Sequence, residues 1–250
     1  MTTSLLEDSP HAAPIDRIGS LEPVDDEVRG RLQACLEELL PERRPVRVLD
    51  AGCGKRLVVP VADDTYVVGI DVDAAQLRPD LDEALVGDLQ TYDLGRERFD
   101  AIICWYVLEH IADPVIVVDK FVAALRPGGL LVLAVPHVAS VKGLVTKYTP
   151  QWFHDWMWSR VFGAGPQHEA FPTVLSRSLT PQALRRQAAA HGLSVAFLAE
   201  FEAWPQKRIR RKLRLKGRLF AALASLVRLA TFGKATIAVT DMVMVLHKPE

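Results

Sequence analysis

Two short patterns hold the residues best suited to chemistry. Asp50-Ala51-Gly52-Cys53-Gly54 follows the apolar run Val46 to Leu49, and Asp71 closes the next apolar run seventeen residues past Gly54. Glycines at such a turn let the backbone approach a ligand closely, and a carboxylate after the following strand can accept both hydroxyls of a ribose. Together they make a nucleoside-binding arrangement. The third glycine of a dinucleotide fingerprint, which lets a helix N-terminus cradle a pyrophosphate, is replaced by Leu57, and the run LVVPVADD makes a poor helix. A phosphate-binding loop of the Walker type fails as well: Gly54-Lys55 is followed by Arg56, and Leu49 stands where that loop's first glycine belongs. A nucleoside without a diphosphate is the expected ligand.

The elements that position these residues are visible as hydrophobic patterns. Val46 to Asp50, Tyr66 to Asp71, Ala84 to Asp88, Phe99 to Trp105 and Leu130 to Val135 are short, branched apolar runs, as suits strands buried on both faces of a parallel sheet. Helical spacing links Val28, Leu32, Cys35, Leu36 and Leu39 up to Pro41. A second helix is expected over Asp113 to Leu125 and a third from Pro181 to His191-Gly192, each opened by an N-cap followed by proline. Ser194 to Phe201 and Met242 to His247 supply a sixth and a seventh strand. The alternation predicts an α/β class, a doubly wound Rossmann-like seven-stranded sheet.

Residues 1–24 read as a flexible arm, and 25–250 as one domain with two insertions, at 137–177 and 205–234. Tyr148 to Phe171 holds seven aromatics, among them Trp152, Trp156 and Trp158, which suits a lid or an apolar pocket wall. From Ala203 to Thr240 there are ten cations and no acid, which leaves the rest of the chain at −11 against an overall −1. Ile209, Leu213, Phe220, Leu223, Val227 and Ala230 fall near one helical face, so 207–230 reads as a basic amphipathic helix able to meet an anionic membrane surface. No aromatic platform or reading helix accompanies the cations, so nucleic acid is not the expected partner.

Other classes are excluded by composition. The chain is 49% apolar and 24% charged, which rules out disorder and fibrous repeats. Cys35, Cys53 and Cys104 form no CxxC pair, and His168-Glu169 is not part of an HExxH pattern, so neither a disulfide framework nor a metal site is expected. Met1 to Pro14 lacks the features of a secretory leader, and no apolar run reaches the ~20 residues of a membrane span. The expected location is cytoplasmic, with peripheral contact at the inner membrane face.

The chain resembles the class I S-adenosylmethionine-dependent methyltransferases, close to the ubiquinone-biosynthesis-like group. LDAGCG (Leu49 to Gly54), GIDVD (Gly69 to Asp73), GDL (Gly87 to Leu89), LEHIADP (Leu108 to Pro114) and LRPGG (Leu125 to Gly129) are similar to that family's motifs, in its order, over roughly a third of the chain. The resemblance implies S-adenosylmethionine as cofactor and an antiparallel last strand. It would place Asp50, Gly52, Cys53 and Gly54 at the methionine end, Asp71 and Val72 at the ribose, Asp88 at the adenine amine and Leu89 against the ring. Cys104, Trp105 and Tyr106 would lie beside the sulfonium. It further implies methyl transfer to a small-molecule or lipid-linked acceptor, to oxygen before carbon or nitrogen. A hydroxyl acceptor must lose a proton, and His110, His137, His154 and Asp155 are the candidate bases. The rivals are a nonenzymatic module that binds the cofactor and docks on a membrane or protein partner, and a nicotinamide-dependent oxidoreductase, against which the missing third glycine counts.

Overall fold

The computed structural model describes residues 26–41, 45–138, 140, 176–212, 214–215, 217–232 and 235–250. The strands are β1 Arg47–Ala51, β2 Tyr66–Asp71, β3 Glu83–Val86, β4 Phe99–Trp105, β5 Leu125–Pro136, β6 Ser194–Phe201 and β7 Asp241–His247. They form one sheet in the order β3-β2-β1-β4-β5-β7-β6. Strands β1 to β5 run parallel, and β7 lies antiparallel to both β5 and β6. This is the expected doubly wound sheet with its reversed last strand.

Burial follows from the two-sided cover. All seven residues of β4 are buried, as are the first six of β7. Helix α1, Asp26–Leu39, sends Leu32 and Leu36 onto the face that carries Val48, Ile103, Val132 and Val245. On the opposite face, α2, Pro114–Ala124, and α3, Pro181–Ala190, cover Leu49, Ile102, Leu131 and Met244 with Val117, Phe121, Leu184 and Ala188. The Asp113 carboxylate accepts from the backbone N–H groups of Val115 and Ile116, and Pro114 follows it. Such a cap is worth about 1 kcal/mol.

The connection between β1 and β2, residues 52–65, contains no helix. Its Leu57, Val59 and Val61 are buried on the α1 face and cover the sheet where a crossover helix would otherwise lie.

Three features depart most from the sequence pattern. Strand β5 begins at Leu125 instead of Leu130, because the Arg126-Pro127-Gly128-Gly129 stretch, which looks like a turn, extends the strand; Leu125 pairs with Phe99. Strand β3 ends at Val86, so Gly87 and Asp88 belong to the turn after it. The basic segment is two helices, α4 Trp204–Lys212 and α5 Gly217–Ala230, and not one. Arg214 takes a left-handed φ of 55°, and Leu215 N–H bonds back to the Arg210 carbonyl at 3.0 Å, which closes α4. The proposed arm and nearly all of the 137–177 insertion, with its aromatic residues, His154 and Asp155, lie outside the described residues.

Candidate functional site

The carboxyl ends of β2, β1 and β4 lie side by side, and the chain order reverses between β1 and β4. Ligands bind at such switch points in open α/β sheets. Here the turn after β1 is built for close approach. Gly52 and Gly54 have φ of 71° and 49°, and a side chain at Gly52 would run into Val107. The N–H groups of Gly52 and Cys53 both donate to the Ile70 carbonyl, at 2.8 and 3.1 Å, so β2 fixes the turn.

Asp71 sits half-buried at the end of β2. Its two carboxylate oxygens accept from Gly54 N–H and Asp73 N–H, each at 3.1 Å, which links the glycine turn to the acid in one rigid frame. Val72 is exposed beside it. Gly87 N–H donates to the Asp71 carbonyl at 2.9 Å, bringing the turn after β3 to the same rim. There Asp88 is exposed and accepts from Gln90 N–H at 2.8 Å, while Gln90 Oε1 accepts from Asp113 N–H and so joins this turn to the start of α2. The Leu89 side chain belongs to the core, and its carbonyl accepts from Lys120.

Two acids and an arginine define the charge around the glycine turn. Asp50 is buried and bonded by Arg78 Nη1 at 2.6 Å; the same nitrogen donates to the Cys53 carbonyl at 3.2 Å. Burial pushes the Asp50 carboxyl up to about 6, against the opposing pull of Arg78. Burial likewise pushes the Cys53 thiol up to about 12, helped by the carboxylates of Asp50 and Asp71, so Cys53 is a neutral wall and not a nucleophile.

At the end of β4, the Cys104 side chain faces the core, and its thiol is raised by burial, so only its backbone remains to border the site. Trp105 is buried on the opposite face with its ring edge-on to Tyr106 at 6.1 Å. Tyr106 has a left-handed φ of 56°, which is strained for an aromatic residue. Its phenol is held well above its ordinary pKa by burial and by the facing Asp241 carboxylate at the start of β7. Asp241 is fully buried and also accepts from the Thr240 hydroxyl. The Tyr106 hydroxyl is engaged by the Asp241 carboxylate, whereas among the described residues the buried Trp105 Nε1 and His137 Nδ1 have no hydrogen-bond partner. His137 places Nε2 3.2 Å from Glu200, and His110 is half-exposed, 4.0 Å from Glu109.

The predicted Asp50, Gly52, Cys53, Gly54, Asp71, Val72 and Asp88 thus meet at one rim, with Trp105 and His137 at the same end of the sheet. Arg78 and Asp241 escaped the sequence pattern. Arg78 has no periodic or motif signal; Asp241 left one, a lone acid opening a strongly apolar strand. Among the described residues, no group of three or more His, Cys, Asp or Glu side chains is arranged to hold a metal ion.

Known proteins share this framework. A ubiquinone biosynthesis O-methyltransferase of Xanthomonas campestris pv. campestris (strain B100) is 33% identical over 103 residues, which cover 35% of this chain and 42% of that protein. One from Nitrobacter winogradskyi is 32% identical over 100 residues, covering 34% of this chain and 37% of the relative. The match therefore spans about two-fifths of those curated relatives' length. Among solved structures, an S-adenosylmethionine-dependent methyltransferase from Mesorhizobium loti shares the fold with a TM-score of 0.51 at 17% identity, covering 86% of this chain and 96% of that one. Phosphoethanolamine N-methyltransferase 2 of Haemonchus contortus, solved with S-adenosyl-L-methionine, gives 0.51 at 15% identity, over 92% of this chain and 54% of that one. A family model described as a methyltransferase domain matches residues 24–196, more than half of the sequence. By that match, in agreement with the strand order and the glycine turn, the chain belongs to the methyltransferase-domain family, the class I enzymes whose cofactor is S-adenosylmethionine.

Proposed function

We propose that this protein moves a methyl group from S-adenosylmethionine to a hydroxyl oxygen of a small-molecule or lipid-linked acceptor. The observation that carries the cofactor assignment is the joined frame of Gly54 and Asp71, a carboxylate already oriented by two backbone N–H groups beside a turn that has no room for a side chain at Gly52. In this reading Asp71 receives the ribose hydroxyls, Asp88 the adenine amine and Asp50 the methionine ammonium. When bound, the sulfonium supplies an activated methyl, so the protein's own work is to align the acceptor and exclude water. The ends of β4, β5 and β7 supply the acceptor side, where Tyr106, His137 and Asp241 offer one phenol, one imidazole and one carboxylate. His137 is the favoured base, and His110 and His154 stay as alternates. Oxygen as the target is supported by the name shared by the curated relatives.

The lipid-linked option rests on α5. Phe220, Leu223 and Val227 are half-buried, and Arg210, stacked on Phe220 and bonded to Glu202, ties α5 to α4 and to the end of β6. The face expected to meet a membrane is thus partly used within the protein. A second stripe, Leu219, Leu226, Leu229 and Phe232, is 61–89% exposed, with Arg211, Lys212, Arg214 and Arg218 exposed nearby in sequence. Apolar residues between cations suit an anionic bilayer. No helix among the described residues is long and apolar enough to cross one.

Incubation with methyl-labelled cofactor and a membrane extract tests the reaction. Label in an extractable small or lipid-linked product supports it. Label that stays with the protein and transfers to nothing favours the nonenzymatic module. Sedimentation with phosphatidylglycerol vesicles tests the surface: Leu226→Glu with Leu229→Glu should abolish pelleting, and an undiminished pellet refutes the membrane contact.

A further inference from the structure

Arg78 is the most deeply buried charged side chain near the glycine turn that the family motifs do not account for. It lies in the segment after β2, is 7% exposed, and carries bonds to Asp50, to the Cys53 carbonyl and, through an ion pair of 2.9 Å, to Asp80. Its Nη2 is sealed from solvent and makes no hydrogen bond. A guanidinium so enclosed cannot reach a ligand itself. It can act only through the groups that it already holds.

Those groups lie at the methionine end. The connection 52–65 forms no helix, so no helix N-terminus is available there to balance charge. Asp50 must face a ligand's ammonium from a dry site, where an isolated carboxylate prefers its proton. It is faced by Arg78 and Asp80 from the segment after β2, by Asp71 of β2, by Cys53 of its own turn and by Cys104 of β4. Among these groups Arg78 alone favours the ionised form, since the two acids oppose it and the thiols are neutral.

We propose that Arg78 is a positioning residue for the methionine end of the cofactor, holding the Asp50 carboxylate ionised and in place and fixing the Cys53 carbonyl beside it. The proposal rests on the assignment of Asp50 to the ligand's ammonium. Removal of Arg78 leaves Asp50 buried without a partner, so it takes up a proton near neutrality and releases it only as the pH rises.

Calorimetric titration between about pH 6 and 8.5, the range in which a buried carboxyl group without a partner ionises, tests this with two ligands: S-adenosylhomocysteine, and methylthioadenosine, which lacks the amino-acid end. Arg78→Gln should weaken S-adenosylhomocysteine at least tenfold at pH 7, or ~1.4 kcal/mol, with methylthioadenosine nearly unchanged, and the loss should shrink as the pH rises. Arg78→Lys should restore most of the affinity and the wild-type pH profile. Equal weakening of both ligands, no change in either, or a loss independent of pH overturns the proposal. Should Arg78→Gln not fold, Arg78→Met, which keeps the apolar stem without the charge, takes its place with the same expected and overturning outcomes. Asp50→Asn is the control for the underlying assignment: if it leaves S-adenosylhomocysteine affinity intact, Asp50 does not hold the ammonium, whatever Arg78 does.

Discussion

Asp71 and Gly52 show how much a single position decides at this rim. Asp71 already spends one lone pair of each carboxylate oxygen on Gly54 N–H and Asp73 N–H, which leaves the others for a ribose diol. Asp71→Ala removes both the acceptor and the brace, so S-adenosylhomocysteine affinity should fall roughly tenfold to a hundredfold by calorimetry, as expected for hydrogen bonds to a charged group worth ~1.5–3 kcal/mol. Gly52→Ala fails for another reason. Its φ of 71° strains any residue with a Cβ, and the added methyl collides with Val107. The combined cost should be about 2–4 kcal/mol in stability. Trimming the neighbour in a Gly52→Ala, Val107→Ala double variant should recover the collision but not the backbone strain, so the two losses should prove non-additive in a double-mutant cycle. The glycines and Asp71 were legible because strand, turn and acid recur at a spacing that physics ties to nucleosides. Arg78 was not, because it meets Asp50 across 28 residues with no periodicity to join them.

The sheet depends on a polar staple at its other end. Asp100 in β4 is fully buried, accepts from Arg47 N–H of β1 at 2.7 Å, and takes both carboxylate bonds from Arg126 of β5 at 2.9 and 3.1 Å. Three neighbouring strands are therefore locked in register by one acid. Asp100→Ala leaves the Arg47 N–H without its acceptor and costs the partly exposed Arg126, which keeps its bond to the Glu97 carbonyl, its carboxylate, so unfolding midpoints in urea should report a loss of about 2–3 kcal/mol. The strands themselves were readable from their branched runs. Their ends were not: Leu125 to Gly129 looks like a helix stop and a turn, yet pairing of Leu125 with β4 and backbone bonds of Gly128 and Gly129 to Lys248, just past β7, carry it into β5, a tertiary effect that no local propensity holds. The division of the basic segment into α4 and α5 was hidden for a similar reason, since the break depends on Arg214 adopting a left-handed conformation that arginine seldom takes.

Across the whole molecule, charge is distributed very unevenly. The stretch from Ala203 to Thr240 carries all of its ten ionic side chains as cations, while the remainder has a net −11. If α4 and α5 rest on anionic lipid, vesicle binding should weaken as salt rises to about 0.5 M, where surface charges more than a few ångströms apart are screened. A residual bound fraction should persist from the exposed leucines and vanish in the Leu226→Glu, Leu229→Glu variant. Salt-independent binding would instead point to a purely apolar contact, such as a second copy of the chain.

The helix-free connection between β1 and β2 has a dynamic consequence. A helix would protect its amides through its own ladder, but the N–H groups of 55–64 belong to no such ladder, and Leu57, Val59 and Val61 anchor the loop by their buried side chains. In the empty protein these amides should exchange with deuterium faster than those of α1 or the neighbouring strands. Cofactor gripped by Gly52, Gly54 and Asp71 would then slow this stretch more than any helix, making the loop itself the reporter of occupancy.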